Sequence, residues 1–307
     1  MTDETRRGRP AAGLACALLL WWSAAAPAGE EPFADVHLHF NWDQTSVVDP
    51  GEALERLHRH GVVLGVVSSM PPEMALELSG AADGWIVPLF MPYLEPERRH
   101  DWFNDERVVP AARQALSSGR YAGLGEFHLT GGMGPNPAQR HPVVDGLMEL
   151  AVEFDAPVLI HTEASSYRFF LPLCQRHPDA RIVWAHAGGI LPAGEVIALM
   201  EACPNVWAEL SARDNDRYIQ NPIVDAAGRL LPEWVALIRR FPDRVMTGTD
   251  PVWPIEYRHP WDEPDTGWDR FPNYLAFHRQ WLDALPEDLA RRVRLENALR
   301  FFRADRR

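Results

Sequence analysis

Short apolar runs and amphipathic stretches alternate along nearly the whole chain. Eight apolar runs read as strands, at about 33–40, 62–69, 85–90, 121–128, 157–162, 181–187, 205–211 and 243–249. Between them, stretches such as PGEALERLHRHG, DERVVPAARQALSSG, PVVDGLMELAVEF, AGEVIALMEAC and LPEWVALIRRF repeat their apolar residues at helical spacing, often with Gly or Pro at their ends. Eight strands, each followed by a helix or a long loop, predict an α/β fold of the (β/α)8 TIM barrel type. A doubly wound open sheet has less support, because no glycine-rich phosphate turn follows the first strand. No linker or low-complexity segment interrupts the alternation, so residues 29–307 read as one barrel domain.

The stretch ahead of the first strand follows another pattern. Arg6, Arg7 and Arg9 precede the apolar run AAGLACALLLWWSAAA, which ends in APAGEE. A basic region, an apolar stretch and a small-residue cleavage site predict a signal peptide over residues 1–28, cleaved after Ala28. Gly13, Ser23 and Pro27 interrupt the run, and it is short for a stable membrane span. The expectation is a periplasmic or secreted protein with no membrane attachment after cleavage. The twin arginine hints at one export route but leaves the route open.

Charge narrows the partners. A net charge of −13 argues against nucleic acid and anionic membrane, leaving a small-molecule substrate, with homo-oligomerisation open. All 30 basic residues are arginine. Without lysine there is no Schiff-base or pyridoxal-phosphate chemistry, no Walker-type phosphate loop and no carbamylated lysine as a metal bridge. Beyond the leader only Cys174 and Cys203 remain, either bonded to each other or free.

Active sites of such barrels lie at the C-terminal ends of the strands, so the strand ends carry the functional information. The first strand, DVHLHF, ends in His37 and His39, which alternation places on one face. Two such imidazoles suit a metal or ordinary buried hydrogen bonding. The fourth, GLGEFHL, ends in Glu126 and His128, the fifth in His161, the sixth in His186 and the eighth in Asp250. One such residue alone is usually structural; five strand ends supplying only His, Glu and Asp point to chemistry. His58, His60, His100, His141, His177 and His278 fall in helices or loops and read as surface residues.

In order, DVHLHF, HTE, WAHAGG, GTDP and the closing ENALRFF resemble the amidohydrolase superfamily, in particular its amidohydrolase-related branch. The resemblance spans nearly all of residues 29–307. It implies a divalent metal, Zn²⁺ first among candidates, held as one or two ions by His37, His39, His161 and Asp250. It implies His186 as a second-metal ligand or a catalytic histidine, and Asp250 as the catalytic proton carrier. Glu126 resembles the bridging glutamate of the superfamily's metal-dependent deoxyribonucleases; the other reading is a glutamate that only hydrogen-bonds a ligand or the substrate. Asp35 is either a partner that orients an imidazole or a cap of the strand. Among residues near strand ends, Trp42 and Trp253 are candidate substrate contacts, as are Trp184, Tyr257, Trp261 and Trp268. Arg168 and Arg213 are either anion clamps or ordinary ion pairs. Three functions follow: an exported hydrolase of a small-molecule ester, lactone, amide or phosphoester; a metal-dependent decarboxylase of an aromatic or unsaturated carboxylate; and a non-catalytic metal-binding barrel.

Overall fold

The computed structural model describes residues 30–131, 139–215, 217, 221–254 and 263–303. The signal peptide expected over residues 1–28, together with Tyr257 and Trp261, lies outside the described residues.

Eight parallel strands, β1 Phe33–His39, β2 Val62–Ser68, β3 Ile86–Phe90, β4 Gly123–Thr130, β5 Val158–Glu163, β6 Ile182–Trp184, β7 Val206–Glu209 and β8 Val245–Met246, pair in sequence order. The ends of the sheet meet: Val36 N–H donates to the Thr247 carbonyl at 3.0 Å and Asp250 N–H to the His37 carbonyl at 2.8 Å. The result is a (β/α)8 barrel. Strand ends agree with the apolar runs to within a few residues, except that β6, β7 and β8 stop early and hand their last residues to turns.

Each strand is followed by a helix: α1 Pro50–Arg59, α2 Glu73–Gly80, α3 Val108–Ser117, α4 Pro142–Glu153, α5 Leu171–Arg176, α6 Ala193–Ala202, α7 Pro232–Arg240 and α8 Gly267–Leu282; α9 Glu287–Arg291 and α10 Asn297–Arg303 complete the chain. Local chemistry starts them where the pattern predicts. Asp49 caps α1 by accepting from Glu52 N–H at 2.9 Å, and proline stands in the first turn of α1, α4, α5 and α7, where its missing N–H costs no hydrogen bond. Two apolar clusters result. Residues of six strands, among them Val36, Val66, Leu89, Leu159, Val183 and Met246, form a small cluster with Phe301 and Phe302 of α10; drawn from all round the sheet, it fills the barrel interior. The larger cluster packs the helices on the outer face. Among the described residues, no helix is long and apolar enough to cross a membrane.

Cys174, in α5, and Cys203, just after α6, form a disulfide with Cα atoms 6.0 Å apart, resolving the alternative left open by the sequence. His278 corrects an expectation. It is not on the surface but buried in α8 against Phe33 and Trp281, and burial pushes its pKa down to about 3 despite a hydrogen bond with the Gly248 backbone. The unfolded chain takes up a proton on this residue near pH 6.5, whereas the folded chain resists until near pH 3. Stability contributed by neutral His278 is therefore intact above pH 6.5 and lost through that window, by about 5 kcal/mol in all. Urea unfolding from pH 7 to pH 4 should show this slope, and His278→Phe should flatten it.

Candidate metal centre

The predicted strand-end residues meet at one point. His37 and His39 converge from β1 with Nε2 atoms 3.2 Å apart. Glu126 reaches them from β4, its Oε2 being 3.4 Å from His37 Nε2 and 3.1 Å from His39 Nε2. Asp250, beyond β8, places Oδ1 3.8 and 3.5 Å from the same two nitrogens. The other oxygen of Glu126 faces the opposite wall: Oε1 lies 3.3 Å from His161 Nδ1 and 3.7 Å from His186 Nε2. Two ligand groups thus share one carboxylate, His37–His39–Glu126 and Glu126–His161–His186, and Asp250 joins His37 and His186 in a third. All six side chains are buried.

This donor set fits divalent cations. Ligand atoms about 2.1 Å from a tetrahedral ion lie about 3.4 Å from each other, and the spacings above cluster there. Glu126 Oε1 and His161 Nδ1 are buried without a hydrogen bond although they face each other, an arrangement that is costly unless a third body accepts both lone pairs. His128 and Glu163 stand near His161, but they do not make a further ion site with it. The His128 and His161 rings stack at 4.1 Å and 17°, whereas an ion must lie in the plane of each imidazole it binds.

The far nitrogens of the imidazoles are held in turn. Glu209, at the end of β7, is fully buried; its Oε2 lies 2.9 Å from His37 Nδ1, accepts from Ser211 Oγ at 2.8 Å, and accepts from His186 N–H at 3.2 Å. His186 Nδ1 meets Ser211 Oγ at 2.8 Å, and His39 Nδ1 meets the Ser68 carbonyl at 3.2 Å. These contacts aim the Nε2 atoms of His37, His39 and His186 at the centre. The backbone is bent to match: His186 and Asp250 adopt φ of 53° and 49°, a left-handed conformation that side chains seldom take outside functional sites. Two glycines make room. A β-carbon on Gly248 would lie 2.6 Å from His37 Cβ and 2.8 Å from Glu209 Oε1, and one on Gly125, at φ 113°, would run into the Leu159 carbonyl. Glu209→Gln keeps the shape of this support and removes its charge. It should lower metal affinity by about 10–100-fold without unfolding the barrel, read by competition with a chelator.

Charges in the bare centre are strongly coupled. Burial alone would discharge His37, yet the Glu126 and Asp250 carboxylates outweigh it and hold the imidazole well above its ordinary range. Burial likewise opposes ionisation of Glu126, but the charges of His37 and His128 win and its carboxyl sits well below the usual range. His186 is pushed well down, first by burial and then by the charges of His37 and His161. A cation bound by these groups would compete with the proton on His37, so metal uptake would weaken in acid.

Other sequence-predicted residues are placed differently. Asp35 accepts from the backbone N–H of His37 and Thr249 at 3.2 and 3.0 Å and from Thr249 Oγ1 at 2.6 Å; it braces β1 against the loop after β8, and Glu209 orients the imidazole. Arg213 is no anion clamp: it is fully buried over the Trp234 ring, and its guanidinium donates to the carbonyls of His186, Ala187, Leu191 and Asn221. Arg168 is exposed on the loop after β5, its guanidinium over the Tyr167 ring. Trp184 and Trp268 are core residues whose indoles bond Thr162 Oγ1 and the His39 carbonyl. Trp42 and Trp253 are half-buried at the ends of β1 and β8. The arginine that does reach the centre is Arg217, fully buried, whose Nη2 lies 3.0 Å from Asp250 Oδ2. It also donates to the Asp250 carbonyl and lies over the Tyr274 ring.

The profile of the amidohydrolase family matches residues 34–304. No curated protein matches the chain. Among solved structures, a TatD homologue from Escherichia coli K12 is similar at TM-score 0.65 and 16% identity over 88% of this chain and 98% of its own. A protein described as amidohydrolase II is similar at TM-score 0.56 and 12% identity, over 89% and 100% of the two chains. A dihydroxybenzoic acid decarboxylase from Polaromonas sp. JS666, with bound manganese and the inhibitor 2-nitroresorcinol, is similar at TM-score 0.56 and 12% identity, over 90% and 98%.

Proposed function

Because the chain belongs to the amidohydrolase family, we propose that it is an exported metal-dependent hydrolase that uses water to cleave a small-molecule ester, lactone, amide or phosphoester. The observation that carries this reading is the division of Glu126 between two ligand groups, with Oε2 toward His37 and His39 and Oε1 toward His161 and His186. His37, His39, Glu126 and Asp250 would hold one ion, and Glu126, His161 and His186 a second. Divalent cations there would supply a Lewis acid and would lower the pKa of water into the neutral range. Asp250 is the proton carrier: Arg217 fixes Oδ2, which leaves Oδ1 facing the centre to take a proton from the attacking water and return it to the leaving group. Gly248 leaves room for His37 and Glu209, and the Glu209 contact with His37 Nδ1 orients that imidazole. Zinc is the first expectation for the metal, and manganese is the ion named for the decarboxylase of similar fold.

A small molecule suits the site better than nucleic acid, given a net charge of −13. Export is supported by the leader pattern of residues 1–28 and by the Cys174–Cys203 disulfide, a bond that persists in oxidising compartments. Decarboxylation is the second reading, favoured by the decarboxylase of similar fold. The deciding experiment is elemental analysis of the purified protein, followed by assay of an ester, lactone and phosphoester panel alongside hydroxybenzoates, with the metal restored. Hydrolysis predicts alcohol, acid or phosphate products and close to two metal equivalents. Carbon dioxide release from a hydroxybenzoate, with the panel untouched, would replace it with the lyase reading.

A further inference from the structure

Four residues past His39, Asp43 presents a carboxylate that the centre does not use. It is 8% exposed, and neither of its oxygens has a hydrogen-bond partner. Its main chain is fixed: the Asp43 carbonyl accepts from Asp265 N–H at 3.0 Å, and Gln44 Nε2 donates to Asp265 Oδ2 at 2.9 Å. The carboxylate is therefore held in place by the β8 loop while its own oxygens stay unmatched. Groups from three different loops surround it. His39 ends β1, Arg99 follows β3 and the Trp253 indole follows β8, and all three favour its ionised form. Residues beyond β1, β3 and β8 converge only over the mouth of the barrel, beside the metal ligands. Arg99 Nη1 is turned to the Pro96 carbonyl at 2.8 Å.

Leaving a buried carboxylate unpaired costs stability, and a fold keeps such a group where a ligand completes it. Here both oxygens of a side chain that is almost wholly enclosed are left for a partner from outside the chain. A neighbouring indole suits a flat cation, and a chain of net charge −13 attracts cations in general. We propose that Asp43, flanked by Trp253, is the specificity residue of the substrate pocket and receives a cationic group, an ammonium or amidinium-like end, of the molecule cleaved at the adjacent centre. The proposal rests on the hydrolase reading for what happens to the substrate, but not for how it is recognised.

The test is therefore a binding measurement rather than turnover. The metal-loaded, full-length mature protein is titrated calorimetrically with benzamidine, which is cationic and a poor metal ligand, and with its neutral analogue benzamide. Wild type should prefer benzamidine by about tenfold or more, and Asp43→Asn should reduce that preference to near onefold. Asp43→Ser gives the same reading should the amide misfold. Thermal melts of the ligand-free proteins supply an independent check, since loss of an unpaired buried charge should leave Tm equal or higher. No preference in wild type, an undiminished preference in Asp43→Asn, or a large fall in Tm would each overturn the assignment. Metal content measured on the same samples keeps the two readings apart: absent metal counts against the hydrolase, not against the Asp43 pocket.

Discussion

Glu126→Gln is expected to cut the bound metal from close to two equivalents to about one and to lower kcat/KM by about a thousandfold or more. The amide keeps the shape of the side chain, and its oxygen can still serve one ion. It cannot offer two anionic oxygens, one to the His37–His39 side at 3.1–3.4 Å and one to the His161–His186 side at 3.3–3.7 Å. A lost Lewis acid in a two-ion site is worth several kcal/mol of transition-state stabilisation, and about 4 kcal/mol is a thousandfold in rate. Elemental analysis and steady-state kinetics on the same preparation read both quantities. A wild type that holds one equivalent, unchanged in Glu126→Gln, would remove the bridge and leave Glu126 as a substrate or ligand contact.

Asp250→Asn should be nearly as damaging, by a different route. Asparagine still accepts from Arg217 and fits the same left-handed backbone, so the fold and much of the metal are retained. What disappears is the proton acceptor, and removing a positioned general base costs about 10²–10⁴ in rate. Asp250→Ala differs in kind. It removes both the charge and the acceptor oxygen that lie 3.0 Å from the buried Arg217 Nη2, which lowers stability. Kinetics and denaturation of the two variants therefore separate chemistry from support: both lose activity, and Ala, which also loses the acceptor that Arg217 bonds, loses more Tm than Asn. An active Asp250→Asn would refute the proton-carrier role.

Much of this was readable in the order of residues. Eight apolar runs map onto eight strands, and His37, His39, Glu126, His161, His186 and Asp250 meet as their strand-end positions imply. Strands one, four, five, six and eight announced themselves because each ends in a histidine or carboxylate after an apolar run. Strand seven carries a carboxylate as well, in WAEL, but Glu209 stands two residues before the end of the 205–211 run and resembles ordinary alternation, so it did not stand out. Only the three-dimensional approach of β1, β6 and β7 shows it as the support of two histidines. Arg217 was less legible still. It sits in a polar loop with no periodicity, and its partner is 33 residues away. Arg213, by contrast, was open to a clamp or a surface ion pair because a charged residue after a strand usually faces solvent; here Trp234 and four carbonyls bury it. His278 could have been placed correctly, since Phe271, Tyr274, Leu275, Trp281 and Leu282 put it on the apolar face of its helix.

The closure of the barrel gives the centre a second meaning. β8 is two residues long, and the first and last strands are joined by a few backbone bonds, with His37 on one side of the seam and Asp250 on the other. An ion gripped by both would act as a rivet across that seam, making a ring of a chain whose ends are far apart in sequence. The same cation that serves the chemistry would then also decide whether the two termini of the domain fray separately or stand together.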